Sequence, residues 1–112
     1  MVIHQMKLAK APFEKIINGK KIIESRLFDE KRQRIKVGDL IEFVNNDDQN
    51  IKITTKVLAL YKYNSFEELF SNFPPAYFGG DSKEYLIQEI HEFYSLADEN
   101  EYGVVGIKFI KE

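Results

Sequence analysis

Apolar positions recur along the chain with two periods, and each change of period marks an element. Met6 to Lys10 reads as a short strand that ends before Pro12. From there Phe13, Ile16 and Ile17 fall at helical spacing, and Pro12 in the first turn forfeits no hydrogen bond. Asn18-Gly19 supplies the left-handed stop, which predicts positive φ at Gly19. Ile22 to Phe28, β-branched and bulky, predicts a strand, and Asp29 to Lys36 a charged connection. Leu40 to Val44 follows as a strand, and the polar cluster Asn45 to Asn50 closes a hairpin onto Ile51 to Tyr63. In that long strand Ile51, Ile53, Thr55, Val57, Ala59, Tyr61 and Tyr63 share one face.

Ser65-Phe66-Glu67-Glu68 matches a capping box and opens a short helix that stops at Pro74-Pro75. After Gly79-Gly80-Asp81-Ser82 a helix begins near Lys83, with Leu86, Ile87, Ile90, Phe93 and Tyr94 on one stripe. Ser95 to Glu101 reads as an acidic loop. Tyr102 to Ile110 reads as the last strand, where Gly103 and Gly106 mark a bend or close packing. About five strands with two or three helices make an α+β chain with too few strands for a sandwich. A small, strongly bent sheet closing into a β-barrel, with helices at its ends, best protects the strand edges.

The length of 112 residues fits a single domain, 1–112, without linker or repeat. Sixteen Lys+Arg against 18 Asp+Glu exclude a grip on nucleic acid by bulk positive charge, though a local basic patch remains open. Without cysteine there are no disulfides, thiolate nucleophiles or Cys-based zinc sites, and His4 and His91 are too few for a multi-His site. Neither a metal nor an organic cofactor is implied. No stretch has the length of a membrane span and the N-terminus lacks a signal-peptide core, so no membrane partner and a cytoplasmic location are expected.

Chemistry concentrates in Lys21, Glu24 and Arg26, two cations flanking an anion. Glu24 and Arg26 are two apart and share a strand face; Lys21, three from Glu24, joins them only if the strand starts after it. Two readings stand side by side. One is a set of surface ion pairs, each worth about 0–1 kcal/mol. The other is a recognition cluster in which Arg26 offers a planar fork to an anion, Lys21 a point charge, and Glu24 orients one of them. Lys31, Arg32, Arg34 and Lys36 form a basic run, either a solvated connection or a loop whose Arg32 and Arg34 contact phosphates. Tyr61 and Tyr63 are either base-stacking aromatics or packing on the inner face.

Gly19-Lys20-Lys21-Ile22-Ile23-Glu24-Ser25-Arg26 fits G-x-K-x-x-E-x-R without a gap. Placed after a helix, it resembles the signature of the ASCH domain, a relative of the PUA family of RNA-binding barrels. Lys36 to Phe43 is similar to that family's next strand, and Tyr94 to Ile107 to its closing strand. The resemblance implies a PUA-like barrel with a cleft lined by the motif and a role in binding RNA or a nucleotide. One branch of the family is similar to amidohydrolases that deacetylate N4-acetylcytidine. That likeness implies catalytic roles at Lys21 and Glu24, where the branch carries a Thr in place of Glu24, and a third carboxylate for which Asp81 and Glu84 are nearest.

Two classes of function therefore stay open. The first is a binding module for RNA, a nucleoside or a nucleotide, using Lys21, Glu24, Arg26, Arg32 and Arg34. The second is a small metal-independent hydrolase acting on an acylated nucleoside or on RNA, with Glu24 as base and Lys21 as oxyanion support. A sequence pI near 5.7 argues against avid binding of long RNA and favours a small or short ligand.

Overall fold

The computed structural model describes residues 2–112. The elements run β1 (Ile3–Leu8), α1 (Lys10–Ile17), β2 (Ile23–Leu27), α2 (Glu30–Gln33), β3 (Leu40–Asn45), β4 (Lys52–Tyr63), α3 (Phe66–Ser71), a 3-10 turn (Pro75–Phe78), α4 (Lys83–Ile90), α5 (Leu96–Tyr102) and β5 (Val104–Lys111). The strands form one sheet in the order β1-β3-β4-β5-β2, with β1 parallel to β3 and every other pair antiparallel. The sheet curls but does not close: β1 and β2 are its two edges. The expected barrel is thus a half-barrel with an open seam.

β4 serves two partners. Its first half pairs with β3 and its second with β5, and a register shift between Val57 and Ala59 lets it bend from one to the other. The bulge also reverses the strand's alternation. Val57 faces the concave core with Leu60, whereas Tyr61 and Tyr63 pack against the second core on the outer face. The tyrosines are therefore packed, as one sequence reading had it, but not on the inner face.

Two apolar clusters result. Phe13 and Ile16 of α1 seal the concave side against Met6, Ile41, Phe43 and Ile107. On the outer side Phe66, Leu69 and Phe70 of α3, with Phe78 and Leu86, cover Ile23, Leu27 and Val104. Close approach there depends on Gly106, where a Cβ would sit 2.8 Å from Leu69 Cδ1.

Several boundaries differ from the sequence reading. β1 begins at Ile3 rather than Met6, because its parallel pairing with β3 recruits the polar residues His4 and Gln5. The charged connection holds the short helix α2, capped by Asp29 Oδ1, which accepts from the Arg32 amide. Ser95 to Glu101 is not a loop but α5, entered through a complete capping box between Ser95 and Asp98. Only the Ser65 half of the expected box exists at α3; there Glu99 of α5 accepts the Phe66 amide at 2.7 Å. Gly103 is the cap of α5, outside the last strand. With five α-helices and the 3-10 turn, the helical content exceeds the expected two or three.

Candidate functional site

α1 ends as its sequence predicts, with Gly19 at φ 80°, and the chain stays irregular through Lys21 and Ile22 before β2 begins at Ile23. Lys21 therefore escapes the alternation that would point it away from Glu24. In β2, Glu24 lies opposite Ile107 and Arg26 opposite Val105, both residues of the concave core. The motif thus turns its charges towards the inside of the half-barrel.

Glu24 is 5% exposed and each of its oxygens is engaged. Lys21 Nζ donates to Oε1 at 3.0 Å and Arg26 Nε to Oε2 at 2.8 Å. Lys21 also donates to the Phe78 carbonyl at 3.1 Å, and Lys15 to the Gly79 carbonyl at 2.6 Å, so two ammonium groups cap the end of the 3-10 turn. Gly79 makes this possible. Its φ is 82°, and a Cβ there would lie 3.2 Å from Lys15 and 3.3 Å from Lys21.

Burial alone would raise the Glu24 pKa, but the charges of Lys21 and Arg26, with their hydrogen bonds, outweigh it and bring it down to about 2. Burial likewise pulls the Arg26 guanidinium down, while Glu24 and then Tyr94 more than compensate and hold it above its ordinary value. The trio is a desolvated ion network, not a set of surface pairs. Desolvation offsets much of the attraction in such a network, but a member deprived of its partner is left charged and buried at a large cost.

The network opens into a cleft of about 310 Å³ at one end of the seam. Lys7, Leu8, Ala9 and Pro12 form one wall; Glu89, Ile90, Glu92, Phe93 and Tyr94 form the other; Phe70 and Phe78 lie between them. The second wall was missed from sequence, since Phe93 and Tyr94 occupy stripe positions that read as core. α4 instead stops at Ile90, leaving Phe93 71% exposed, whereas Tyr94 stacks on Phe66 with ring centroids 5.8 Å apart.

Arg32 and Arg34 do not line the cleft. Arg32 pairs with Asp29 at 2.9 Å, and Arg34 is an exposed cap of α2. Asp81 and Glu84 do not line it either; the acidic residues at the rim are Glu89 and Glu92. Among the described residues no three His, Cys, Asp or Glu side chains are grouped to hold a metal, and no helix is long and apolar enough to cross a membrane.

The ASCH domain family model matches residues 6–112, and with them the motif, the cleft, the second half of β1 and the other four strands. The chain belongs to the ASCH domain family. Among solved structures this ASCH domain is similar to the hypothetical protein PH0355, with 33% identity over 99% of this chain and 100% of that one, and a TM-score of 0.86. It is also similar to a Pyrococcus furiosus protein solved by NMR, with 36% identity, coverage of 98% and 97%, and a TM-score of 0.76. A variant of an ASCH protein from Zymomonas mobilis shares the fold at 13% identity, a TM-score of 0.70, and coverage of 98% of this chain and 70% of that one. No curated protein matches the chain.

Proposed function

We propose that this ASCH domain binds RNA or a nucleotide, taking one nucleoside unit into the cleft beside Lys21, Glu24 and Arg26. The observation that carries this reading is the desolvated ion network opening into a cleft of about 310 Å³, near the lower limit for small-molecule sites. Glu24 holds the two cations in place, and Arg26 keeps free N–H groups on its guanidinium for a ligand. Phe93, exposed at the rim, offers a face on which a base can stack. Charge at the cleft is balanced, with Lys7, Lys21 and Arg26 against Glu24, Glu89 and Glu92. That balance favours recognition of a single unit over a long phosphodiester track.

Titration with nucleosides and short single-stranded RNAs tests the reading. Arg26→Ala weakens binding by about 1.5–3 kcal/mol if its guanidinium donates a charged hydrogen bond to the ligand. Lys21→Met weakens it as well. Binding unaffected by both substitutions removes the site from the cleft.

A second reading, a metal-independent amidohydrolase of acylated nucleosides such as N4-acetylcytidine, or a ribonuclease, draws support from the buried Lys21 ammonium at the cleft. Glu24, with both oxygens engaged and a pKa of about 2, is a poor general base. Hydrolysis therefore calls on Glu89 or Glu92. Incubation with N4-acetylcytidine or RNA without added metal decides; no turnover leaves the binding reading alone.

A further inference from the structure

The seam between β1 and β2 has no backbone ladder, yet it is not empty. Arg26 Nη2 donates across it to the Lys7 carbonyl at 3.0 Å. Lys31, from α2, donates to the Gln5 carbonyl at 3.1 Å. Gln5 and Lys7 are alternate residues of one strand, so the two acceptors are about 7 Å apart along the edge. The edge thus seats an ammonium and a guanidinium side by side. That spacing suits a single phosphate group bridging them through two of its oxygens.

These cations are short of anions. Arg26 shares Glu24 with Lys21. Asp29, the acidic residue that favours the charged form of Lys31, already gives Oδ2 to Arg32 Nη1 and Oδ1 to the Arg32 amide. Among the described residues Lys31 forms no ion pair. Desolvation, then the charges of Arg32 and Arg26, lower the Lys31 pKa, and Asp29 offsets only part of this, so an incoming anion would relieve the crowding of cations. Arg26 also lines the cleft, which places this pair beside the proposed nucleoside pocket.

We propose that Lys31 and Arg26 form a phosphate subsite on the seam, which receives the phosphate of the nucleotide whose nucleoside enters the cleft. The inference rests on the cleft reading and adds a polarity to it: the phosphate lies towards β1 and α2, away from Glu89 and Glu92. The phosphate is either the monoester of a free nucleotide or a diester of an RNA strand. Of the basic run in the sequence, it is Lys31 that is used, rather than Arg32 or Arg34.

The test compares a nucleoside, its 3′- and 5′-monophosphates, a trinucleotide and inorganic phosphate, by calorimetry and by amide shifts, on wild type, Lys31→Gln and Lys56→Gln. Lys56 is exposed on β4 and controls for net charge. The expected result is a preference for phosphorylated ligand over nucleoside of about tenfold, lost in Lys31→Gln and kept in Lys56→Gln. Tighter binding of a monophosphate than of the trinucleotide identifies a free nucleotide; the reverse identifies RNA. Nucleoside binding without a phosphate preference, or a preference that survives Lys31→Gln, overturns the subsite and spares the cleft reading. Inorganic phosphate shifting the Gln5, Lys7 and Lys31 amides while no nucleoside binds supports the subsite and overturns the cleft reading. No binding of any ligand overturns both.

Discussion

Glu24→Gln removes one charge from the buried network while keeping its shape, and its effect on stability depends on pH in a calculable way. The carboxyl is lowered from an ordinary 4.5 to about 2, a difference equivalent to about 3 kcal/mol. Because the folded value is depressed, this stabilisation is fully present above pH 4.5 and is lost as the pH falls towards 2. Gln lacks the titration and leaves Lys21 and Arg26 buried without their counter-ion. At pH 7 the variant is therefore less stable than wild type by about 3 kcal/mol, and the gap closes progressively between pH 4.5 and 2. Asp39, also held low, chiefly by its hydrogen bond with His4, titrates in both proteins and cancels from the difference. Urea unfolding followed by circular dichroism from pH 7 to 2.5 measures the gap. A gap that stays constant across that range, or a variant as stable as wild type at pH 7, refutes the account of the network.

Gly79→Ala places a side chain at φ 82° against Lys15 and Lys21; a loss of about 1–3 kcal/mol in urea unfolding, with weaker ligand binding, is expected. Ser95→Ala deletes the cap of α5 and lowers stability by about 1 kcal/mol, with a loss of protection at the α5 amides in hydrogen exchange. Affinity for short RNA falls with rising salt on a shallow slope, close to that for one or two phosphates, when titrated at several salt concentrations.

The motif and the succession of strands along the chain were legible in the sequence because both are local. Gly19 ends α1, and because β2 starts only at Ile23, Lys21 is free of the strand's alternation, which is the condition under which the spacing lets the trio converge. α5 was hidden because its sequence carries no apolar stripe. Its single buried residue is Glu99, held by the Phe66 amide and by His91 Nε2 at 2.9 Å. The Ser-x-x-Asp pattern at Ser95 was the available signal. The open seam was hidden for a different reason: whether β1 meets β2 depends on how far the sheet curls, which no window of residues encodes. The Glu89 to Tyr94 wall likewise exists only once α4 is docked.

An unpaired edge strand is a template for another chain, and β1 opens on the exposed Ile3, preceded by the exposed Val2. Its Gln5 and Lys7 carbonyls are occupied by Lys31 and Arg26, which set two positive charges where a foreign strand would dock. The same side chains therefore act as gatekeepers against self-association. Replacing both with small neutral residues would uncover a run of free backbone acceptors beside an apolar flank, and the double variant should aggregate at concentrations where wild type stays monodisperse in light scattering.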